Sequence, residues 1–510
     1  PPDTPDPELA YLFKHIVTQE VAYESLSYST RAQLHALLAQ YLEVKYPNDP
    51  PIEALAHHYG RSNNLEKKRE YLRKSGDAAR AAYSNTTALD YYQQALAASP
   101  EPEEAVDLHI NAGAVFQLIG EREEARSHFQ QALQIATDHQ IMPKIAEAEI
   151  KLGNAWILHS DHSEAKEWLE KALAHARQFN DQAGMCAALC ELGIVHWRLA
   201  EFDRAAQYLQ QGIELSRQME DKRKEAYALT VAGQLKAHAG KFSEAHDIFD
   251  AALALARETN DKRRLAGILN NYATTNYYEG NYEAARQQLE ECLVAVHEIG
   301  DKRGMALALS NLGNIFFLQK DFSSAQNYYK ETLKLGHESD DKYVRSIALT
   351  SLGITAFRQG KFIEANLYYQ ESMALNREMA DKVGLSLLHC YLGLLALAQG
   401  QPTAARGSFL EGLSAAHESD IKLYAIYNLI GMANLLLVEG RLSASVVLLA
   451  ATARIATSLG IKVEPELQEP YDAVLAQTRR ELSQGDFASA WKMGETMDIE
   501  DAVKFAPKKE

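Results

Sequence analysis

Glycine recurs at intervals of 40 residues, at Gly113, Gly153, Gly193 and Gly233, gives way to Ala273, and returns at Gly313, Gly353 and Gly393. Twelve residues beyond each of these positions stands an alanine: Ala125, Ala165, Ala205, Ala245, Ala285, Ala325, Ala365 and Ala405. A period this long belongs to no single helix or strand. It marks a supersecondary unit repeated along the chain, each copy burying its apolar face against its neighbours only. The length alone would suggest about three globular domains, but an array has one continuous core, so most of the chain reads as a single solenoid.

The small residues have a steric reason, since two antiparallel helices approach closely only where the side chain at the crossing is absent or a single methyl. Larger apolar residues keep the same register. Leu152, Leu192, Leu312, Leu352 and Leu392 precede the glycine, and Phe129, Leu169, Leu209, Phe249, Leu289, Tyr329, Tyr369 and Phe409 follow it by sixteen residues, as knobs for the gaps. A column of rings, Phe202, Phe242, Tyr282, Phe322 and Phe362, opens the second half of five units, in several of them just after a glycine such as Gly240, Gly280 or Gly360. Each unit therefore predicts helix, turn, helix. The spacing extends outward: Gly76, Ala88 and Ala95 give a shorter early unit closed by Pro100 and Pro102, and Ala433, Gly440 and Ser445 continue the period. Pro465 and Pro470 are expected to interrupt the helical pattern, and the stretch from Gly485 to Trp491 reads as a terminal cap.

The order Leu-Gly, a bulky ring three residues on (Phe116, Trp156, Phe316), then the alanine and aromatic columns resembles the tetratricopeptide repeat, or TPR, over about residues 72 to 455. The unit departs from the usual length of about 34 residues, and the six added residues are expected to lengthen both helices by roughly a turn. The resemblance implies an all-α fold: a right-handed α-solenoid of about nine to ten helix-turn-helix repeats. The expected organisation is a helical segment over 1–50, shorter TPR-like repeats over 51–102, the 40-residue array over 103–460, and a C-terminal helical cap and tail over 461–510.

The glycine and alanine columns are absent from residues 9 to 44. There the stretch Ala10 to Leu26, followed by Arg31-Ala-Gln-Leu-His35, resembles the segment that joins a winged-helix domain to TPRs in bacterial multidomain signalling ATPases. The runs Leu448 to Arg454 and Met497 to Lys504 resemble the tails of the same proteins. The resemblance implies the C-terminal piece of such a protein, with an upstream nucleotide-binding domain as a partner. No G-x-x-x-x-G-K-[ST] loop stands in the sequence, and Gly353 to Gly360-Lys361 has the wrong spacing for one.

Net charge of −17 argues against a nucleic-acid footprint, which needs a positive face to release counterions. No apolar run of about 18 residues is present that would span a bilayer. The chain thus reads as cytoplasmic, with neither nucleic acid nor membrane as partner. Cys186, Cys190, Cys292 and Cys390 read as buried thiols, not a disulfide framework or half of a zinc site. His159-Ser-Asp-His162 and His57-His58 read as solvated, and no metal or cofactor is expected. No catalytic constellation such as H-E-x-x-H or G-x-S-x-G is present, so the reading is of a protein that is not an enzyme.

A charged column accompanies the array. Asp221, Asp261, Asp301, Asp341 and Asp381 are each followed by lysine, and Asp181 begins the series. Aspartate is a good N-cap, whereas lysine in a first turn opposes the helix dipole. Two readings stand: a basic stripe that receives an acidic partner, or a ladder of ion pairs in which Glu258, Glu298, Glu338, Glu378 and Glu418 meet the lysine four residues later.

A curved stack of helix pairs leaves its first helices lining a concave face. Positions three before, one after and four or five after the glycine are assigned to it: Asn154, Trp197, Arg198, Thr230, Gln234, His238, Asn270, Thr274, Tyr277, Tyr278, Ser310, Asn314, Phe317, Phe357 and Arg358. This mixture of amides, rings and cations suits an extended protein or peptide ligand. Some TPRs clamp a terminal carboxylate with Lys and Asn; Asn154 and Asn314 occupy the Asn position, but the Lys partners do not appear. The expected function is a non-enzymatic binding scaffold, the sensor or interaction module of a larger signalling ATPase. The alternatives are a free-standing adaptor and a self-associating scaffold.

Overall fold

The computed structural model describes residues 16–82, 84–158, 161–199, 201–418, 422–458 and 465–506, and those residues are helical with short turns and contain no strand. The chain forms two compact units, 1–112 and 113–510. In the first lie α1 (Ile16–Glu24), α2 (Tyr28–Lys45), α3 (Ile52–Gly60), α4 (Leu65–Ala81) and α5 (Asn85–Ala97), and the boundary falls inside α6 (Pro102–Ile119). Then follow α7 (Arg122–Asp138), α8 (Met142–Leu158), α9 (His162–Gln178), α10 (Gln182–Arg198), α11 (Phe202–Gln218), α12 (Lys222–His238), α13 (Phe242–Glu258), α14 (Lys262–Glu279), α15 (Tyr282–Glu298) and α16 (Lys302–Leu318). The second half of the array comprises α17 (Phe322–Glu338), α18 (Lys342–Arg358), α19 (Phe362–Glu378), α20 (Lys382–Ala398), α21 (Pro402–Glu418), α22 (Lys422–Val438) and α23 (Leu442–Ser458). The chain ends in α24 (Pro465–Glu481), α25 (Gln484–Gly494) and α26 (Ile499–Phe505). Within residues 113–510 the helices from α8 to α23 pair as antiparallel hairpins, α8 with α9 through α22 with α23, and each hairpin stacks on the next as an α-solenoid; in the first unit α4 and α5 pair likewise.

The helices of the array are mostly 17 residues long, so the added residues do lengthen both arms of each hairpin. The chain reverses every 20 residues through a left-handed backbone conformation. Gly240, Gly280, Gly360 and Gly400 hold it inside hairpins, at φ of +72°, +96°, +74° and +70°. Between hairpins the same conformation falls on Gln140, Asn180, Glu220, Asn260, Asp340 and Ala380, which no glycine announces. Each reversal ties back to the helix it ends, as where the Lys241 N–H donates to the Lys236 carbonyl at 2.9 Å. The next helix is then capped by its aspartate: Asp181, Asp221, Asp261, Asp301 and Asp341 accept from the backbone N–H three residues on at 2.8–3.0 Å, and Asp381 at 3.3 Å.

The crossings are as tight as the small residues require. A Cβ added at Gly353 would stand 2.5 Å from the Tyr369 ring, at Gly313 2.5 Å from Tyr329, at Gly113 2.6 Å from Phe129, and at Gly153 and Gly193 2.6 Å from Leu169 and Leu209. All eight alanines of the second column are buried. The same joint recurs in the first unit, where a Cβ at Gly76 would meet Tyr92 at 2.5 Å.

The ion-pair ladder exists in a register different from the expected one. Each lysine pairs with the glutamate 36 residues later, not with the one four residues earlier: Lys222 with Glu258, then Lys262–Glu298 at 2.8 Å, Lys302–Glu338 at 3.1 Å, Lys342–Glu378 at 2.8 Å and Lys382–Glu418 at 3.0 Å. The chain reverses between Glu258 and Lys262, whereas the start of a hairpin's first helix lies beside the end of its second. The pairing sets each lysine against a helix C-terminus, which offsets its unfavourable place in a first turn. An exposed rung contributes only a few tenths of a kcal/mol.

Within residues 113–510 the array curls far enough to meet itself. The turn between α6 and α7 touches the N-terminal ends of α16, α18 and α20: Lys342 pairs with Glu121, 221 residues away, at 2.7 Å, and Arg303 donates to the Leu118 carbonyl at 3.1 Å. Arg122 donates to the Ala380 carbonyl at 3.2 Å and lies 3.7 Å from Asp381.

At the far end α24, α25 and α26 pack on α22 and α23, covering the last apolar face. The prolines do not interrupt helix there. Pro465 opens α24 and Pro470 lies inside it; buried Leu467 and Val474 hold the helix to the array against the roughly 3 kcal/mol that an interior proline costs. His159 lies outside the described residues. His162 is not solvated as expected; it opens α9 with its side chain buried.

In the first unit His35 and His58 place their Nδ1 atoms 2.8 Å apart, and Arg61 lies 2.9 Å from Nδ1 of His57. Burial, then neighbouring positive charge, pulls the pKa of all three imidazoles below the ordinary 6.5. Neutral rings are thus favoured in the folded state, and the unfolded chain binds more protons as pH falls through about 6.5. Hydrogen exchange of α2 and α3 amides is therefore expected to show weaker protection at pH 5.5 than at pH 7.5, after correction for intrinsic rates. Equal protection would count against the cluster.

Candidate binding site on the inner wall

The first helix of each hairpin packs against the first helices of its neighbours, so α8 to α22, taken alternately, form one wall. A 17-residue helix in such a wall presents a stripe of side chains stepping by three or four residues. In α18 that stripe is Tyr343, Ile347, Thr350, Ser351 and Ile354. Together with Thr274, Tyr277 and Tyr278 of α14, Asn311 and Asn314 of α16, Asp381 capping α20, Leu387 and Tyr391 of α20 and Tyr424 of α22, it encloses a cavity of about 310 Å³.

Beneath this cavity a buried polar network joins the two helices of one hairpin, α18 and α19. Asn376, also part of the lining, donates to Ser346 Oγ at 2.6 Å and to the Ser372 carbonyl at 2.9 Å, while Ser372 Oγ lies 3.0 Å from Ser346 Oγ and 2.9 Å from Thr350 Oγ1. The floor is therefore fixed by hydrogen bonds as well as packing.

Tyr343 is 41% exposed, yet its surroundings push its phenol above the ordinary value, with Asp381 adding to the rise. Solvent reaches the ring inside a recess walled by protein. Arg303 sits over its face at 5.4 Å. Arg198 of α10 projects toward the same region: desolvation lowers its pKa, and the Tyr424 and Tyr343 hydroxyls are near enough to oppose that fall. The wall thus offers phenol donors, amides, one carboxylate and a cation around apolar surface, a combination suited to a chain with both side chains and backbone amides.

Of the residues assigned from sequence, Thr274, Tyr277, Tyr278 and Asn314 line the cavity. Asn314 also accepts from the Tyr329 hydroxyl at 2.8 Å, and Asn270 accepts from Asn311 at 2.9 Å beside it. Trp197, Arg198 and His238 form a second group, with the guanidinium 5.1 Å from the indole and the imidazole edge-on to it at 5.5 Å. Thr230, Ser310 and Phe317 are buried; Thr230 bonds the Ala226 carbonyl at 2.6 Å, and Phe317 packs on Phe322. Phe357 packs on Phe362, Arg358 pairs with Glu469 of α24 at 2.6 Å, and Gln234 is half-buried on α12. Asn154 stands beside Glu191 and favours its charged form against the effect of burial.

Sequence reasoning missed the N-terminal half of the stripe. Besides Tyr343, Ile347 and Ser351, it left out Glu191, Tyr227 and Arg264, which form a polar group of their own. Tyr227 donates to Glu191 at 2.7 Å, and Arg264 lies 4.8 Å over the Tyr227 ring. Burial raises the Glu191 carboxyl above the usual range. The signal was available: stepping back by three or four from the assigned positions reaches every one of these helices' inner faces.

An α-solenoid of helical hairpins with a polar and aromatic inner wall defines a class of binding scaffold. Residues 78–293 match the model of the MalT-like TPR region, and residues 264–336 and 304–378 match a tetratricopeptide repeat model. The chain belongs to the tetratricopeptide-repeat family, as an interaction scaffold built from unusually long units. Solved structures similar to it include a signal transduction ATPase with numerous domains and a tetratricopeptide repeat sensor from Pyrococcus horikoshii, at 12% identity and TM-score 0.45, covering 95% of this chain and 68% of that one. Others are the apo quorum sensor NprR from B. thuringiensis (17% identity, TM-score 0.43, 63% and 91% covered) and the Rap conjugation gene regulator of plasmid pLS20 in complex with the Phr* peptide (14%, 0.44, 64% and 93%). No curated protein matches the sequence. Among the described residues no helix is long and apolar enough to cross a membrane.

Proposed function

We propose that the inner wall binds an extended peptide or protein segment in the cavity between α14 and α22, and that the chain has no catalytic activity of its own. The observation that carries this reading is the cavity itself: it joins five successive first helices and mixes tyrosine rings with amides and a carboxylate. Pockets of that composition hold side chains on apolar surface while donors and acceptors take the ligand backbone. The same proposal makes the chain the sensor or interaction module of a larger signalling ATPase, supported by the resemblance of its terminal segments to those proteins. A winged helix and a P-loop upstream in the same reading frame would bear that parentage out, and an unrelated upstream sequence would remove it.

The test of the groove is a Ser351→Arg substitution, which places a bulky cation in the cavity without removing a buried apolar contact. Peptides selected from a random display library on the wild-type chain are expected to bind this variant at least about tenfold more weakly, a loss of roughly 1.4 kcal/mol. Ile363→Arg, on the 81% exposed outer position of α19, should bind as wild type. Equal binding by both variants would move the site elsewhere.

A further inference from the structure

We propose that the charged edge of the array is a clasp, in which the α6–α7 turn docks on the N-terminal ends of α16, α18 and α20, and that its closure controls access to the inner-wall cavity. The edge that reads in sequence as a stripe awaiting an acidic partner meets one in its own chain. Lys342 serves both roles, as the rung to Glu378 at 2.8 Å and as the clasp to Glu121 at 2.7 Å. Coverage separates the clasp from the open ladder: the Lys342 and Arg122 side chains are each 17% exposed and Asp381 10%, whereas the rung lysine Lys222 is 48% exposed. The tip of the turn approaches closely. Gly120 takes φ of +86°, and a Cβ there would stand 3.2 Å from the Met379 side chain.

Two groups belong to clasp and cavity at once. Asp381 lines the cavity, caps α20 and faces Arg122. Arg303 holds the Leu118 carbonyl at 3.1 Å and Asp341 at 2.8 Å while its guanidinium covers the lining ring of Tyr343. Opening the clasp therefore releases a carboxylate and a cation that shape the cavity wall. By linkage, a ligand that binds the closed form more tightly than the open one through Tyr343 or Asp381 favours closure, and loss of the clasp weakens that ligand. The control of binding rests on the reading of the cavity as the binding site; the clasp and its grip on the cavity wall do not.

The experiment needs no ligand, so its outcome is independent of the peptide test. All four native cysteines are buried, leaving engineered thiols as the reactive ones. Because the two side chains meet only at their ends, and a direct disulfide needs Cα atoms within about 7 Å, a Glu121→Cys/Lys342→Cys chain is expected to be cross-linked within itself by a short bis-maleimide, faster than a Glu121→Cys/Lys302→Cys control. In the second arm, Arg122→Glu in an Ile347→Cys background is expected to raise the radius of gyration in solution scattering. It should also speed alkylation of the cavity thiol by about fivefold or more, as expected when a local opening becomes more populated. The Ile347→Cys chain with Arg122 intact should speed up only in part in 1 M salt, since covered pairs in contact are screened less than exposed ones. Arg122→Lys should restore the parent rate, which a folding defect at this position would not. No preference in cross-linking overturns the clasp, and an unchanged alkylation rate in Arg122→Glu overturns its control of the cavity.

Discussion

Gly393→Val is expected to destabilise the C-terminal hairpins by about 3 kcal/mol or more, read as a lower urea midpoint of the helical signal at 222 nm. A Cβ at this position would overlap the ring of Phe409, which has nowhere to go: it is fully buried, and a Cβ at Gly431 on the far side would overlap the same ring. The ring is held between the glycines of two successive first helices, so relief at one crossing closes the other. Because neighbouring units stabilise one another, the loss should spread to α20–α23 and appear as an early transition instead of a uniform shift. Gly267→Ala is the matched control. A Cβ there meets nothing within 4 Å, and alanine in the α14 interior should stabilise by roughly 0.5–1 kcal/mol. A Gly393→Val chain with the wild-type midpoint would mean that the crossing is looser than the geometry states.

Asn376→Asp should cost about 3 kcal/mol at neutral pH with no change of shape. The amide nitrogen now donates to the Ser346 hydroxyl and the Ser372 carbonyl. A carboxylate oxygen in its place would face that carbonyl with no proton between them. The buried site favours the protonated acid, so the folded-state pKa of the new group lies above its unfolded value near 4. Relative to wild type, the deficit is therefore smallest below about pH 4, grows as pH rises, and is complete above the folded pKa. Melting temperatures of the two proteins should converge toward pH 4 and diverge toward pH 8. A gap that does not change with pH would show that the side chain reaches water. The same variant should loosen the cavity floor, since Asn376 belongs to both.

Much of this was legible in the sequence because small residues at a crossing leave no choice. Gly353 and Ala365 are needed wherever two helices touch, and each repetition restates the need. Asp341 as a cap was legible for a similar reason, since its carboxylate serves a backbone three residues away. The pairing of Lys262 was not. Four-residue spacing implies contact only along an unbroken helix, and the left-handed residue Asn260 lies between Glu258 and Lys262 without any glycine to mark it. Half of the inner wall was likewise missed, because Tyr343, Ile347 and Ser351 lie up to ten residues before the glycine that anchored the assignment. Trp197 and Phe317 show the converse: large rings at wall positions that turn toward neighbouring rings instead of the cavity.

The sequence alone determined the local unit, its hairpin, its caps and its crossings, since each depends on residues within 20 or so positions or on the neighbouring copy. Only the tertiary structure decided what happens between distant units. Small rotations accumulated over several hairpins bring Glu121 to Lys342 and Arg198 toward Tyr343 and Tyr424, and no periodic pattern encodes that sum. The reason is geometric: a repeat states how it sits on its neighbour, and curvature adds those statements into a contact that no single repeat contains.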